Sequence, residues 1–481
     1  MITRIEKENL YDGLHPLDMT LTKPRNINFI QTMIDCVGLA SSLKQHEIEM
    51  LRKEFEFYIT NAAINDCLNF KSSRTLALIL GAGIAGLAAS FELLAAGFNV
   101  IIAEKRTTFD RFNVINLDVE SQRFLKKFGL LDEFEESVAG RIMTHNYVLF
   151  DEKGMQDLGS SDVNKIQPST VPFEPEFFNM LFHEDGIYSV RIKDLQNFLA
   201  KKALEYGVHI VGNIESEILN FSKTGDVSTV ILRGKDSSFD SVELKPGLIF
   251  IAEGTHSTTA KQLDLKTIEV KNECTGENWI FGNMRYAGKE TFVISVLDAS
   301  QDSLEIANII FNAYIHEINI AVTSKKHLSQ ELIEQRILKL VGRVFSYLNI
   351  NDQQESLIRT VKEPVHIINE NRVDYSRGNV FCIGDAAGHS SPLAGMGGTL
   401  GLTLVPRTIE QLVTDSKQQP SALHNHFHQF TDAYTTRWIS KSATVKKHCL
   451  SFFKRKGCLN RDREQIVMQK SKLPAQSRAS T

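Results

Sequence analysis

The sequence predicts an α/β protein in which a parallel sheet is accompanied by a second, mainly antiparallel sheet, with helical segments at both ends. Three observations favour this class. An apolar run from Leu76 to Ala103 is interrupted by closely spaced glycines. A second buried strand, within Gly378 to Leu402, leads into another glycine-rich turn. Between them, the stretches 279–300 and 308–326 have the pattern of strands in a separate sheet.

The first stretch has the pattern strand, turn, helix, strand. TLALILG and FNVIIAE are short apolar runs, typical of parallel strands that are buried on both faces. The glycines between them are Gly81, Gly83 and Gly86. In a dinucleotide-binding turn, the first allows the tight bend, the second lets the backbone approach a pyrophosphate and the third lets helix and strand pack closely. Glu104 ends the second strand eighteen residues after Gly86, where an acid can accept hydrogen bonds from ribose hydroxyls.

A membrane span is the competing interpretation of this run. From Leu76 to Ala103 the chain carries a single charge, Glu92, which hydropathy alone would assign to a membrane helix. A membrane helix needs neither a glycine turn nor an acid at that spacing. The pattern therefore favours a buried, Rossmann-like dinucleotide-binding unit.

The remaining composition is that of a globular protein from a reducing, cytoplasm-like compartment. Hydrophobic residues make up 42% and charged residues 23% of the 481 positions, and the polar N-terminus does not resemble a signal peptide. The six cysteines fit neither a disulfide framework nor a zinc site, so no metal is expected. The net charge of −4 does not favour nucleic acid as a partner. The basic tail segment 441–458 is a candidate for peripheral membrane contact.

The stretch GNVFCIGDAAGHSSPLAGMGGTLGL, from Gly378 to Leu402, indicates whether the bound dinucleotide is FAD or NAD. It resembles the GD motif, followed by P-x-x-G-x-G, of FAD-dependent monooxygenases of the para-hydroxybenzoate hydroxylase type. By that resemblance, Asp385 would bind the ribityl chain of FAD and Pro392 would line the flavin. A helix N-terminus at the following turn would face the flavin ring, where it stabilises the negative charge of the reduced form. The candidate cofactor-binding residues of that turn are Gly395, Gly397, Gly398 and Thr399.

A third element, LIFIAEGTHSTTAKQL, is similar to the family's strand followed by Asp-Gly. Here the acid is Glu253, followed by Gly254, and the longer side chain puts the detail of the cofactor contact in doubt. Both are kept as cofactor-binding candidates.

Within this type, the chain most resembles the monooxygenase domain of the MICAL family. The run EKRTTFDRFNVINL, starting at Glu104, is similar to a segment that reaches FAD in that group, and so is YSVRIKDLQNFLAKKALEYGVHIV, starting at Tyr188. The resemblance adds the cofactor-contact candidates Lys105, Arg106, Arg111, Asn113, Arg191 and Gln196.

The predicted domain organisation is discontinuous. An N-terminal helical segment, 1–74, precedes an FAD-binding domain assembled from 75–148, 190–265 and 377–404. An excursion, 149–189, and the segment 266–376 make up the substrate domain, and 405–481 forms C-terminal helices and the basic tail.

The resemblance implies an enzyme that uses FAD, NAD(P)H and dioxygen. In the family, NAD(P)H reduces FAD, dioxygen forms a C4a-hydroperoxyflavin, and one oxygen is transferred to a small molecule or a protein side chain. This chemistry needs no protein nucleophile, and no catalytic residue is assigned. A single GxGxxG suggests that the nicotinamide has no domain of its own. Two alternatives remain: a prenyl-reductase-like FAD enzyme, and a binding protein that retains FAD without turnover.

Overall fold

In a computed structural model of the protein, a large part of the chain can be described residue by residue. The described residues are 75–109, 111, 114–117, 119–151, 154–162, 187–221, 226–235, 241–269, 278–285, 291–298, 305–314, 317–323, 335, 342, 343, 346, 370–388, 397–418, 427, 429 and 431. The predicted N-terminal helical segment and the basic segment 441–458 lie outside them, as do Asn113, Pro392 and Gly395.

The strands and helices follow one another along the chain in an interleaved order. In chain order, the strands are β1 Leu76–Leu80, β2 Asn99–Ala103, β3 Val114–Leu117, β4 Gly140–Asp151, β5 Gly154–Asp162, β6 Ile187–Arg191, β7 His209–Val211, β8 Ile214–Phe221, β9 Val227–Gly234, β10 Val242–Leu244, β11 Leu248–Ile251, β12 Thr267–Glu269, β13 Asn278–Arg285, β14 Thr291–Asp298, β15 Glu305–Asn312, β16 Glu317–Thr323, β17 Glu370–Arg372, β18 Ser376–Arg377 and β19 Val380–Cys382. The helices are α1 Ile84–Ala95, α2 Val119–Lys127, α3 Leu131–Ser137, α4 Ile192–Glu205, α5 Thr258–Gln262 and α6 Gly397–Gln418, and Gly384–Ala386 forms one 3₁₀ turn.

The first sheet has six strands in the order β18-β19-β11-β1-β2-β7, and all its neighbouring pairs except β18–β19 are parallel. Its central strands are apolar because both faces are covered: Leu78 and Ile79, which project from opposite faces of β1, are both fully buried. The run that hydropathy could assign to a membrane is thus the core of this sheet and of α1. Within the described residues, no helix is long and apolar enough to cross a membrane.

An aromatic cluster packs against Phe91 of helix α1. The ring of Phe91 lies 5.7 Å from Phe124, 5.2 Å from Phe128 and 5.6 Å from Tyr206, measured between centroids. These contacts join α1 to α2 and to the end of α4. Because α1 begins at the glycine turn, this packing holds the turn in place.

The second sheet has the order β13-β16-β15-β14-β4-β6-β3, with β5 paired to β4. It contains the predicted strands of the substrate domain, but it also takes in β3 and the start of β4, which the sequence prediction assigned to the FAD-binding domain. Strand β3 pairs with β6, and β4 pairs with β6 and in parallel with β14. These partners lie far apart in the chain, so local patterns could not assign them to a sheet. Two small sheets, β10-β9-β8 and β12-β17, complete the strand pairing.

One charged pair is buried between the helices that support the glycine turn. Lys127 Nζ donates to both carboxylate oxygens of Glu92, at 2.8 and 2.7 Å, and Glu92 is 5% exposed. Glu410, on α6, lies 4.0 Å from the same ammonium. Burial raises the pKa of Glu92 more than the attraction of Lys127 lowers it.

We expect Lys127→Met to lower the free energy of unfolding by about 2 kcal/mol, because it leaves a buried carboxylate unpaired. A raised pKa means that the folded state binds the Glu92 proton more tightly than the unfolded state does. Stability therefore falls as pH rises from the ordinary value of 4.5 through the raised one. Urea unfolding should show a smaller loss at about pH 5 than at about pH 8. The double variant Glu92→Gln with Lys127→Met is the control and should recover most of the loss; equal losses at both pH values would contradict the assignment.

Candidate functional site

The glycine turn after β1 combines two structural glycines with one that leaves space. Gly81 has φ +107°, and a Cβ there would lie 2.5 Å from the Ala252 carbonyl oxygen. A Cβ at Gly86 would lie 2.1 Å from the Gly81 carbonyl oxygen. At Gly83, by contrast, the nearest atom would be 3.9 Å away, and φ is −65°. The space in front of Gly83, at the N-terminus of α1, is therefore free for an approaching phosphate.

Glu104 lies at the end of β2, beside the turn, and is 8% exposed. Its Oε2 accepts a hydrogen bond from the Ala82 amide at 2.6 Å, and its Oε1 accepts one from the Arg106 amide at 3.1 Å. The carboxylate thus braces the glycine turn against the segment that follows β2. A contact between the Glu104 carboxylate and a ribose of the cofactor remains a prediction.

Gln196 reaches the same turn from α4. Its side chain is 6% exposed, its Nε2 donates to the Ala82 carbonyl oxygen at 3.3 Å, and its Oε1 has no hydrogen-bond partner. An unpaired buried acceptor is costly unless a ligand supplies the donor. Arg191, the N-cap of α4, donates from Nε to Asp194 at 2.6 Å. Of the candidates that the resemblance added, Gln196 has an unpaired acceptor next to the glycine turn.

We expect Gln196→Leu to change the stability of the apoprotein by no more than about 1 kcal/mol, because removing the unsatisfied amide oxygen offsets losing the hydrogen bond from Nε2 to the Ala82 carbonyl oxygen. The same change should weaken FAD about tenfold, through the loss of one hydrogen bond. Thermal unfolding of the apoprotein and fluorescence titration with FAD measure the two effects separately. A loss of more than about 2 kcal/mol in apoprotein stability would contradict the assignment, because it would mean that the amide oxygen is also satisfied within the protein.

The Gly384-Asp385 turn lies directly against α1. Gly384 has φ +59°, and a Cβ there would lie 2.4 Å from the Ala85 side chain. Asp385 is exposed beside a cleft, and its contact with a ribityl chain remains a prediction. The cleft is lined by Thr255, Thr267, Arg372, Asp385, Ala386 and Gly388. The two turns that the sequence predicted as cofactor-binding are thus adjacent, although they are separated by some 300 positions in the chain.

Arg372 was missed by the sequence analysis. It is 6% exposed; its Nε donates to the Ala386 carbonyl oxygen at 2.6 Å and its Nη1 to the Leu265 carbonyl oxygen at 2.8 Å. The guanidinium therefore ties the 3₁₀ turn of the Gly384-Asp385 motif to the chain after α5. In sequence, the residue is one arginine in a three-residue strand, and no local signal distinguishes it from a surface arginine.

Glu253 and Gly254 follow β11. The Glu253 carboxylate accepts hydrogen bonds from the Ser257 hydroxyl at 2.5 Å, from the Thr259 amide at 3.1 Å and from the Thr259 hydroxyl at 2.9 Å. This pattern caps the start of α5. Gly254 has φ +77° and takes the chain through the bend. The capping contacts account for an acid at this position, and a direct cofactor contact of Glu253 stays a prediction.

The remaining predicted residues lie around the start of α6 and after β2. A Cβ at Gly398 would lie 2.2 Å from Ile115, so α6 packs closely on β3. Gly397 and Thr399 are in the first turn of α6. Arg111 is exposed, and its carbonyl oxygen accepts from the Lys193 amide at 2.9 Å. The carbonyl oxygen of Lys105 accepts from Lys235 Nζ at 2.7 Å, which ties the segment after β2 to β9.

A parallel sheet with these two adjacent turns, accompanied by a mainly antiparallel second sheet, defines an FAD-dependent oxidoreductase with the monooxygenase fold. The residues at the turns fit FAD: there is open space at Gly83, a free acceptor at Gln196 and an exposed carboxylate at Asp385. The chain belongs to the FAD binding domain family, which it matches over residues 74–405.

Solved structures with a similar fold include those of three proteins. PqsL from Pseudomonas aeruginosa, a probable FAD-dependent monooxygenase, is 15% identical, with 82% of this chain and 100% of that chain covered and a TM-score of 0.59. 2-Methyl-3-hydroxypyridine-5-carboxylic acid oxygenase is 16% identical, covering 83% and 96%, with a TM-score of 0.55. The tetracycline destructase Tet(51) is 15% identical, covering 83% and 95%, with a TM-score of 0.53. No curated protein matches the sequence.

These findings confirm the predicted α/β class, FAD as cofactor and an FAD-dependent oxidoreductase of the monooxygenase type. They support the general type of the resemblance and do not extend to the MICAL group. No cluster of metal-ligating side chains occurs among the described residues.

Proposed function

We propose that the protein is an FAD-dependent monooxygenase that takes electrons from NAD(P)H and transfers one atom of dioxygen to a small-molecule substrate. The observation that carries this proposal is the position of β3. On one face, Ile115 packs on Gly398 at the start of α6; on the other, Val114 joins the apolar cluster of Val293 and Ile310 in the second sheet. The second sheet is therefore attached to the FAD-binding side through β3, which is where a substrate would be enclosed.

The family membership supports FAD as the redox group, and FAD supplies both the electron acceptor for NAD(P)H and the site of reaction with dioxygen. The chain's own residues bind and orient it. Gly83 and the N-terminus of α1 accommodate the pyrophosphate, Gln196 accepts a hydrogen bond beside it, and Asp385 binds the ribityl chain. By the resemblance to the MICAL segment, Arg106 and Arg111 are further contacts.

The second sheet provides the enclosure that the reaction needs. Its buried apolar residues exclude water from the substrate side. A dry site lets oxygen transfer to the substrate compete with side reactions that involve water. The names of the similar structures, a probable FAD-dependent monooxygenase and an oxygenase of a small pyridine acid, support a small molecule as substrate.

The test is spectroscopic, followed by isotope labelling. We expect the purified protein, after reconstitution, to show bound FAD that NADPH or NADH reduces anaerobically and that air reoxidises. With a turned-over substrate, one ¹⁸O atom from ¹⁸O₂ should appear in the product. Bound FAD that stays reduced in air would instead identify a reductase, and bound FAD that neither nicotinamide reduces would identify a binding protein.

A further inference from the structure

Asn319, on β16, is a buried amide that has no hydrogen-bond partner among the described residues. Its side chain is 3% exposed, and neither Nδ2 nor Oδ1 makes a hydrogen bond. A buried amide normally satisfies both groups, since each unpaired group costs free energy on folding.

A neighbouring asparagine shows what a structural role looks like in the same sheet. Asn312, on β15, is fully buried. Its Nδ2 donates to the Ser189 carbonyl oxygen at 3.3 Å, and its Oδ1 accepts from the Tyr314 amide at 3.0 Å. Gly140 leaves the room for this side chain, because a Cβ there would lie 2.7 Å from the Asn312 Oδ1. Asn312 therefore holds strands together, whereas the Asn319 amide bonds to no group in the described part of the chain.

The strand register connects Asn319 to the cofactor side of the molecule. Residues directly opposite each other in an antiparallel pair project from the same face of the sheet. Asn319 is opposite Ile310, Ile310 is opposite Val293, and Val114 packs against the cluster that these two apolar residues form. Val114 in turn is opposite Arg191, the N-cap of the helix that carries Gln196 to the glycine turn. We call these residues, Asn319, Ile310, Val293, Val114 and Arg191, the Val114 face.

We propose that Asn319 is a specificity-determining residue that hydrogen-bonds the substrate on the Val114 face. This inference rests on the proposed function, since it names the class of substrate for that site. Val293 and Ile310 are buried with Val114 packed against them, so the part of a ligand next to them would be apolar. The amide of Asn319 offers one donor and one acceptor side by side. The matching ligand is a planar, neutral molecule with an adjacent donor and acceptor, such as a cyclic amide or a hydroxyl beside a carbonyl.

The expected ligand is neutral because of the chemistry of the Asn319 amide. An asparagine carries no formal charge, so it cannot compensate a carboxylate that loses its hydration on burial. Among the five residues that define the Val114 face, the cation is Arg191, and its guanidinium is paired with Asp194 at 2.6 Å. A site that hydrogen-bonds a substrate strongly rejects analogues that lack the matching group, because its own polar atoms then stay unpaired.

The test compares Asn319→Leu with Asn312→Leu in the FAD-loaded full chain. We expect Asn319→Leu to raise the melting temperature by about 2 °C, since it removes an unsatisfied amide, and Asn312→Leu to lower it. Titration calorimetry then uses three probes: 2-quinolone, quinoline, which lacks the N–H and the carbonyl, and quinoline-2-carboxylate. Wild type should bind 2-quinolone best, and Asn319→Leu should weaken 2-quinolone at least about tenfold while leaving quinoline unchanged.

Three results would overturn the proposal: a lower melting temperature for Asn319→Leu, unchanged 2-quinolone affinity in that variant, or no binding of 2-quinolone to wild type at about 1 mM. Tighter binding of quinoline-2-carboxylate than of 2-quinolone would overturn the inference that the substrate is neutral. Failure of the proposed monooxygenase function is seen separately, in the flavin spectrum and its reoxidation by air, which these titrations do not use as a readout.

Discussion

Replacing Gly83 by alanine is expected to weaken FAD binding about 100-fold while changing the stability of the apoprotein by no more than about 1 kcal/mol. The protein has room for the new methyl group, since its nearest atom would be 3.9 Å away, and φ of −65° suits any residue. The bound pyrophosphate needs that same room, so the cost of the methyl group falls on the complex.

Gly86→Ala is the matched comparison for this prediction. Its methyl group would lie 2.1 Å from a backbone oxygen of Gly81, which cannot move without distorting the turn. We expect a loss of about 3 kcal/mol in apoprotein stability, measured by urea unfolding. Equal stability losses in the two variants would show that Gly83 is a packing glycine and would contradict its role at the cofactor.

The second large effect is expected for Arg372→Met, with a loss of about 4 kcal/mol in the free energy of unfolding. Two buried hydrogen bonds from a charged donor disappear, and the carbonyl oxygens of Ala386 and Leu265 lose that donor. Because one of them belongs to the Gly384-Asp385 turn, FAD affinity should also fall. Urea unfolding of the apoprotein and FAD titration of the folded fraction measure the two effects.

Arg372→Lys separates charge from geometry. The ammonium keeps the positive charge but cannot reach both carbonyl oxygens with the planar fork of a guanidinium. We expect Arg372→Lys to recover less than half of the free energy of unfolding that Arg372→Met loses. A lysine variant as stable as wild type would mean that the charge, and not the two directed hydrogen bonds, stabilises the turn.

The local sequence patterns predicted the cofactor-binding core well. The glycine turn, α1, the two flanking strands and the Gly384-Asp385 turn lie as predicted, because each is encoded within a short stretch by glycine geometry and apolar runs. Glu253 is a different case. Its position after β11 was predicted, but its three contacts with Ser257 and Thr259 could not be, since a family motif does not specify which side chain a carboxylate turns toward.

By itself, the sequence determined the class of protein, the cofactor and the two glycine turns, because these depend on short motifs and on backbone conformations that neighbouring residues set. The tertiary structure alone decided that β3 and β4 join the second sheet, that Arg372 supports the Gly384-Asp385 turn, and that Asn319 is buried without a partner. Each of these depends on residues brought together from distant parts of the chain, and burial and strand pairing over such distances leave no periodic mark in the sequence.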